Sequence, residues 1–188
     1  MKRQSALPWI TFISILCLTG ISSLCAQEQV TDTITIYHKF YFTTFGKSKH
    51  FPVVVKYWLT KSMLNCEHRY KRSNKFKLDP VIPEITNLDN DYKRSGYDRG
   101  YQMDAYDCGC DSTAMVESFY FSKIAPQLPS LNRGVWKEFE EYTRKLAKKY
   151  DSLLVWCGSV SIENTFIGKV AVPYYYWNII YIKKSGIV

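Results

Sequence analysis

The sequence predicts an α+β fold with a mainly antiparallel sheet. Six short segments have the β-branched, aromatic or alternating residues typical of strands, and one longer segment has helical periodicity. Strands followed by one long helix and then by more strands indicate this class. The predicted strands are Thr35–Thr43, Val53–Leu59, Glu117–Ile124, Leu153–Cys157, Ile167–Val172 and Tyr174–Ile182.

The predicted helix runs from about Arg133 to Tyr150. Asn132 is suited to cap it, because an asparagine side chain can accept a hydrogen bond from a free backbone N–H of the first turn. Glutamates lie toward its positive end and lysines toward its negative end, as the helix dipole favours. The predicted apolar face carries Val135, Phe139, Tyr142, Thr143, Leu146 and Tyr150.

A second, more polar stripe runs along this helix. Asn132, Trp136, Glu140 and Arg144 are spaced by four residues, so they share a side that flanks the apolar face. Taken singly, the asparagine could be only a cap and the last two residues only a surface ion pair.

The chain is long enough for one domain. Its 188 residues, 46% of them hydrophobic, supply one core and are too few for two comfortable domains. Prolines, asparagines and glycine recur over residues 77–96, which predicts a surface connection inside that domain. We therefore predict a leader over residues 1–26 and a single domain over residues 27–188.

The leader has the order typical of a secretory signal peptide. Lys2 and Arg3 precede an uncharged apolar run from Ala6 to Leu18, and Ala26 offers a small residue for cleavage. The uncharged stretch from Leu7 to Ala26 is also just long enough for an uncleaved membrane anchor. Cleavage predicts an exported protein, periplasmic or extracellular, without stable membrane association.

Export makes disulfide bonds the first explanation for the cysteines outside the leader. These are Cys66, Cys108, Cys110 and Cys157, which allow three connectivities. Cys108 and Cys110 are too close in sequence to bond comfortably with each other, so Cys66 is expected to reach one of them. A zinc site formed by Cys66, His68, Cys108 and Cys110 is the alternative, although its spacing matches no usual zinc pattern.

The chain is basic. Its formal net charge is +8, and loss of Lys2 and Arg3 would leave 23 basic against 17 acidic residues, or +6. This charge favours a polyanionic partner without identifying it.

Four segments follow the loop-rich stretch in a fixed order. They are Ser95-Gly96-Tyr97-Asp98-Arg99-Gly100-Tyr101, Glu117-Ser118-Phe119-Tyr120-Phe121-Ser122, Ala125-Pro126-Gln127 and Leu131-Asn132-Arg133-Gly134-Val135-Trp136. In order and spacing they resemble the DNA/RNA non-specific endonuclease family, whose Asp-Arg-Gly-His signature opens a ββα-metal motif of strand, strand and helix. Residues 91–92, 155–160 and 168–173 resemble further segments of that family.

The resemblance implies the parts needed for phosphodiester hydrolysis with Mg²⁺ or another divalent cation. Asn132 would be the one direct protein ligand of a cation that keeps most of its waters, and Glu140 would hold metal-bound waters. Arg99 and Arg144 would face the phosphate, and Arg133 would add to nucleic-acid binding. Because these groups address phosphate, DNA or RNA would be bound without base specificity.

Position 101 departs from the family pattern. The family's general base is a histidine, whose pKa near ~6.5 suits proton transfer at neutral pH, whereas Tyr101 has a phenol with an ordinary pKa of about 10. A tyrosinate stabilised by Arg99 and the metal, or the carboxylate of Asp104 or Asp107, could replace the base. A histidine from elsewhere is the third substitute, and the chain offers His38, His50 and His68.

Two functions are therefore open. The first is a metal-dependent, sugar-non-specific endonuclease weakened at its base. The second is a homologue that binds nucleic acid without cleaving it, with Tyr101 stacked on a base or ribose. A fortuitous motif match would instead leave Arg99 and Asn132 far apart in space. No sequence feature predicts an oligomeric state.

Overall fold

The computed structural model describes residues 32–86, 88–162 and 164–182. Its strands are β1 (Thr33–Tyr37), β2 (Tyr41–Gly46), β3 (Phe51–Thr60), β4 (Asp98–Tyr101), β5 (Ile124–Gln127), β6 (Ser152–Val160), β7 (Phe166–Ile167), β8 (Val170–Ala171) and β9 (Tyr175–Tyr181). Its α-helices are α1 (Lys61–Leu64), α2 (Asp89–Tyr92), α3 (Ser112–Glu117), α4 (Pro129–Arg133) and α5 (Val135–Tyr150). Short 3₁₀ turns lie at Ala105–Cys108 and Phe121–Lys123.

The predicted α+β class with an antiparallel sheet is confirmed. Five strands form one antiparallel sheet in the order β1-β2-β3-β6-β9. β4 and β5 form a separate antiparallel ribbon, and the chain continues from β5 through α4 into α5. This strand, strand and helix succession is the expected ββα motif.

The core lies between the inner face of the sheet and the helical layer. Val55, Leu153 and Val155 point inward from β3 and β6 and share one buried cluster with Trp136 and Ala147 of α5. A second buried cluster joins the β4–β5 ribbon to aromatic side chains of the segment before β5. Burial of these side chains therefore ties α5 and the ribbon to the same scaffold.

Three of the six predicted strands are confirmed, since the segments at 53–59, 153–157 and 174–182 correspond to β3, β6 and β9. The single strand predicted over 35–43 is wrong, because the chain reverses between β1 and β2. His38 N donates to the carbonyl of Tyr41 at 2.8 Å, and the His38 imidazole bonds to the buried carboxylate of Asp79 at 2.7 Å. These bonds hold the reversal in place.

The strand predicted over 117–124 is also wrong. Asp111 caps α3 by accepting a hydrogen bond from Ala114 N at 2.9 Å, and β5 begins only at Ile124. Phe119 and Phe121 lie between them and are fully buried. The aromatic residues of this segment therefore indicate burial in the core and do not indicate a strand.

The strand predicted over 167–172 is divided into two. β7 and β8 pair antiparallel, and the chain reverses at Gly168, whose φ of +54° is a conformation that glycine adopts readily.

The predicted long helix is confirmed over most of its length, but its start is not. Gly134, with φ −103° and ψ −117°, separates α4 from α5, and Asn132 lies inside α4. Asn132 is therefore not the N-cap of the long helix, and its side chain bonds to β4 instead.

The predicted apolar face of this helix is wrong in part. Val135 and Tyr142 are 62% and 56% exposed, whereas Trp136, Thr143 and Ala147 are buried. The helix is rotated so that part of the predicted polar stripe faces the protein.

The cysteine prediction is confirmed for one pair. Cys66 bonds to Cys110, with a Cα–Cα distance of 5.8 Å. Cys108 and Cys157 are buried free thiols, so these two disulfide candidates are wrong. The zinc alternative is also wrong, because the disulfide bond consumes two of its four ligands.

The predicted leader over residues 1–26 lies outside the described residues. Across the described ranges, no helix combines the length and apolar character required to cross a membrane.

Candidate active site

The β4–β5 ribbon meets the start of the long helix through hydrogen bonds. Trp136 Nε1 donates to the carbonyl oxygen of Tyr101 at 3.1 Å, and Asn132 Nδ2 donates to Asp98 Oδ2 at 3.0 Å. Arg133 makes two further bonds to the same carboxylate, each 2.8 Å long. α4 and the first turn of α5 are therefore fixed against the strand that carries the Asp-Arg-Gly-Tyr motif.

A pocket of about 510 Å³ lies at this junction. All six residues predicted to form the site line it, namely Arg99, Tyr101, Asn132, Arg133, Glu140 and Arg144. The fortuitous motif match, which would have left Arg99 far from Asn132, is therefore wrong. The remaining lining residues are Arg72, Phe76, Asp98, Asp104 and Lys137.

Arg99 is held at the pocket wall by α2. Its Nη2 donates to the Asp89 carboxylate at 2.8 Å and to the Asp89 carbonyl at 3.1 Å. Its guanidinium lies over the rings of Phe76 and Tyr92, at 5.1 and 5.4 Å from the centroids. The guanidinium is thus positioned before any ligand binds, which is the arrangement that stabilises phosphate charge most effectively.

Arg144 is held by two acidic side chains. Its Nη1 lies 2.8 Å from Asp104 Oδ2 and 3.5 Å from Asp107 Oδ1. Its guanidinium also lies 5.0 Å from the centroid of the Tyr106 ring. The two acids considered as substitutes for the base are therefore both partnered by this arginine.

Carboxyl groups outnumber arginines on this side of the pocket. Burial, together with the charge of Asp104, raises the pKa of Glu140 to about 8, although Arg144 opposes this shift. Burial likewise raises the pKa of Asp107 to about 7. A cation bound beside these groups would favour their ionised forms.

The donor groups fit a hard divalent cation such as Mg²⁺. The NH₂ group of Asn132 is engaged by Asp98, which leaves the amide oxygen as the group that can coordinate a metal. Glu140 lines the same pocket and can hold metal-bound waters. In the part of the chain that the structure describes, no three His, Cys, Asp or Glu side chains converge as a metal site. A cation held here would keep most of its waters, as Mg²⁺ prefers.

Tyr101 belongs to the core as much as to the pocket. It is 6% exposed, and its ring lies 5.6 Å from Phe76 and 5.9 Å from Phe119. The guanidinium of Arg72 and the ammonium of Lys123 lie over the same ring at 4.7 and 5.3 Å. The hydroxyl oxygen is buried without a hydrogen-bond partner, and burial raises the pKa of the phenol above its ordinary value. These surroundings disfavour the tyrosinate substitute.

The model of the DNA/RNA non-specific endonuclease family matches residues 24–187. The chain belongs to this family. It is 33% identical over 162 residues to "Nuclease 1, mitochondrial" of Schizosaccharomyces pombe, covering 78% of this chain and 50% of that protein. It is 33% identical over 130 residues to human "Endonuclease G, mitochondrial", covering 62% of this chain and 44% of that protein.

A solved structure of this family supports the fold. The crystal structure of an EndoG/EndoGI complex matches with a TM-score of 0.72 and 29% identity, covering 78% of this chain and 66% of that chain. The chain spans about half the length, or less, of the two curated relatives named above.

The predicted location is contradicted by these relatives. A periplasmic or extracellular protein was expected, whereas the similar nucleases of yeast and human are mitochondrial by name. The segment before Glu28 contains no acidic residue, a feature that secretory and mitochondrial leaders share. The predicted periplasmic or extracellular location is therefore wrong.

The histidines of this endonuclease-family chain lie away from the pocket. His38 bonds to Asp79, and His50 Nδ1 lies 2.9 Å from the carbonyl oxygen of Ile85. His68 packs edge-on against Tyr70, with ring centroids 5.7 Å apart. None of the three lines the pocket, so the structure brings no histidine to replace the base.

Sequence reasoning missed three residues that line the pocket: Arg72, Phe76 and Lys137. Arg72 Nη1 lies 3.9 Å from Asp104 Oδ1, and its side chain is 47% exposed. The only signal for it was a cluster of five basic residues within residues 69–77. Lys137 follows Trp136 on α5 and could have been suspected from its place beside the polar stripe.

Proposed function

We propose that this family member is a divalent-metal-dependent endonuclease that hydrolyses phosphodiester bonds of DNA and RNA at a low rate. The observation that carries the proposal is the convergence of Arg99, Asn132, Glu140 and Arg144 on one pocket. These groups supply cation binding and positive charge for a phosphate, which are the main requirements of this hydrolysis.

Each residue has a defined part in the reaction. Asn132 would coordinate the cation directly and Glu140 would hold its bound waters; when bound, the cation would supply positive charge for the leaving 3′ oxygen. Arg99, fixed by Asp89, binds a non-bridging phosphate oxygen. Arg144 donates to Asp104 through Nη1, and its other N–H groups are free to donate to the phosphate. It would thereby stabilise the negative charge that develops in the transition state.

The pocket favours cleavage without sequence preference. Its cationic lining groups are arginines and one lysine, and we assign them to the phosphate, which is the same at every nucleotide. DNA and RNA share the phosphodiester, so both are proposed as substrates.

The low rate follows from position 101. A general base contributes roughly a hundredfold to ten-thousandfold to the rate, and a buried phenol with a raised pKa does not accept a proton readily at neutral pH. The cation and the arginines act independently of the base, so a residual rate remains.

The burial of Tyr101 supports a second candidate function, a nucleic-acid-binding homologue without cleavage. In that case the pocket binds phosphate through Arg99, Arg133 and Arg144, and hydrolysis is lost with the base. Binding would weaken as salt is raised, because phosphate contacts release counterions.

The test is nicking of plasmid DNA and cleavage of RNA with Mg²⁺ by the wild-type chain, three variants within the pocket and one control variant outside it. Tyr101→His is expected to increase nicking by about a hundredfold or more, because only the base is replaced. Tyr101→Phe keeps the ring and removes the hydroxyl, and it is expected to leave the rate unchanged. Asn132→Ala is expected to abolish nicking, with Asn65→Ala, an exposed asparagine outside the pocket, as its matched control.

The outcomes separate the two candidates. If no variant nicks DNA or RNA but the wild-type chain binds both in a salt-sensitive way, the binding homologue replaces the endonuclease. If Tyr101→Phe abolishes the wild-type rate, the phenol is itself the base. Nicking that survives Asn132→Ala would refute the proposed site.

A further inference from the structure

Tyr106 is a half-exposed aromatic residue beside the pocket that has no part in the proposed reaction. It belongs to the 3₁₀ turn Ala105–Cys108, which follows β4, and it is 48% exposed. It lies outside the set of residues that line the pocket. The Arg144 guanidinium nevertheless lies over its ring, with the central carbon Cζ 5.0 Å from the centroid. The ring therefore contacts a phosphate-facing arginine from outside the pocket.

Three groups at this turn meet the Arg144 guanidinium. Asp104 Oδ2 lies 2.8 Å from Nη1, and Asp107 Oδ1 lies 3.5 Å from the same nitrogen. Both carboxylates thus contact one nitrogen, whereas the Tyr106 ring lies against the planar group as a whole. The ion pairs fix the place of Nη1, and the ring restricts rotation of the plane about it. Together they orient the remaining N–H groups before a phosphate binds.

The turn that carries Tyr106 is held by its own hydrogen bonds. Tyr106 N donates to Asp104 Oδ1 at 3.1 Å, and Asp107 N donates to the Asp104 carbonyl oxygen at 3.1 Å. The Asp104 carboxylate therefore caps the turn with one oxygen and binds Arg144 with the other. The position of the ring relative to the guanidinium is fixed through this one side chain.

A second arginine holds Tyr106 from the disulfide-bonded segment. The Arg69 guanidinium lies 4.1 Å from the ring centroid, and its Nη2 donates to the Tyr106 carbonyl oxygen. Arg69 Nη1 also donates to the Leu64 carbonyl at 3.2 Å and lies 3.5 Å from Cys110 Sγ. Gly109 makes room for this side chain, since a Cβ there would lie 2.4 Å from Arg69 Nη2. The ring is therefore kept in place by contacts outside the pocket.

We propose that Tyr106 is a positioning residue for Arg144, whose guanidinium it holds in the plane that presents the free N–H groups to the phosphate. The proposal rests on the proposed function, in which Arg144 stabilises the charge that develops in the transition state. A donor that is already oriented needs no rearrangement at that moment, so the ring contributes to the rate more than to substrate binding. A cation–π contact at a partly exposed site corresponds to about threefold to tenfold in rate.

The test compares three substitutions at position 106 in the Tyr101→His chain, which is expected to cleave an oligonucleotide fast enough to give kcat and KM with Mg²⁺. Tyr106→Phe keeps the ring and is expected to leave both constants unchanged. Tyr106→Leu and Tyr106→Ala remove the ring and are expected to lower kcat about threefold to tenfold, with KM changed less than about twofold. Tyr150→Ala is the matched control, because Tyr150 is 39% exposed and its ring lies 5.0 Å from the Lys149 ammonium, away from the pocket.

A double-mutant cycle determines whether the ring acts through Arg144. Arg144→Gln removes the guanidinium, so Tyr106→Leu is expected to have no further effect on kcat in that variant. A merely structural role of Tyr106 would instead lower kcat by the same factor whether or not Arg144 is present.

The side chain of Arg144 provides a readout that does not depend on cleavage. Its Nε–Hε signal in a ¹H–¹⁵N spectrum of the metal-free chain is assigned by its loss in Arg144→Gln. The ring current of Tyr106 is expected to shift this signal, and Tyr106→Leu is expected to remove the shift. Tyr106→Phe is expected to retain it, because the ring remains.

Several results would overturn the proposal. They are an unchanged kcat in both Tyr106→Leu and Tyr106→Ala, an equal loss with and without Arg144, and an Arg144 signal that is the same in wild type and Tyr106→Leu. If the Tyr101→His chain does not cleave, the proposed function fails, and the Arg144 signal alone decides whether Tyr106 positions the guanidinium. Thermal unfolding confirms that each variant is folded, and Tyr106→Leu carries the test if Tyr106→Ala is not.

Discussion

Glu140→Gln is expected to stabilise the metal-free protein at alkaline pH and to leave its stability unchanged near pH 4.5. Burial raises the pKa of Glu140 from 4.5 to about 8. Below pH 4.5 the folded and unfolded states both hold the proton, so the group has no effect. As pH rises toward 8, the unfolded state releases the proton first, and the free energy of unfolding of the wild type falls.

The size of the effect follows from this difference in pKa. The upper limit is about 5 kcal/mol, and we expect about 2 kcal/mol because local relaxation and entering water partly compensate the buried charge. For a chain of this length that is roughly 4 to 8 °C in midpoint temperature. Asp107 also has a raised pKa and stays in the variant, so part of the wild-type pH dependence should remain.

The assay is thermal unfolding by circular dichroism in EDTA at a series of pH values from about 4.5 to 9. Glu138→Gln, an exposed glutamate on the same helix, is the matched control and should follow the wild type. Mg²⁺ added at the alkaline end should raise the midpoint of the wild type more than that of Glu140→Gln. A stability difference between wild type and Glu140→Gln that does not change with pH would refute the reasoning.

Three further substitutions test the scaffold around the site by urea unfolding. Cys66→Ser removes the disulfide bond to Cys110, which closes a loop with a sequence separation of 44, and should lower the free energy of unfolding by about 4 kcal/mol. A urea midpoint of the wild type that does not change with reductant would contradict this. Trp136→Phe leaves the carbonyl of Tyr101 unpaired and should cost about 1–3 kcal/mol, whereas an unchanged midpoint would mean that the bond adds nothing to stability. Gly100→Ala places a methyl group 2.4 Å from a glutamine side chain of β5, and a loss of about 1–3 kcal/mol is expected unless that side chain moves freely.

The site was predictable where its residues are close in sequence. A four-residue spacing keeps Glu140 and Arg144 on one side of a helix wherever the helix begins, so the break at Gly134 did not disturb their relation. The apolar face was not predictable in the same way. Hydrophobic periodicity predicts the buried face on the assumption that a helix buries its apolar side chains. Helix α5 instead turns part of its polar stripe toward a pocket, and Val135 is therefore exposed.

Sequence patterns could not predict that Arg72 lines the pocket, because the segment that carries it is neither a helix nor a strand. It lies between the disulfide at Cys66 and the bridge that joins Lys77 to Tyr120. Neighbouring Arg69 anchors the same segment, with a hydrogen bond from Nη1 to the Leu64 carbonyl at 3.2 Å. No periodicity encodes such contacts, which depend on residues far apart in the chain.

The surroundings of position 101 explain why Tyr101→His is expected to increase the nicking rate so strongly. Burial and the nearby charges of Arg72 and Lys123 all disfavour a cationic side chain at this point. A histidine placed there would stay neutral at pH 7 and so be able to accept a proton. Burial disfavours an ionised phenol as well, and here it outweighs the attraction of the two cations, because the pKa of Tyr101 is raised and not lowered. The same environment therefore suits a histidine base and suppresses a tyrosine one, while the phosphate-facing groups around it are unaffected.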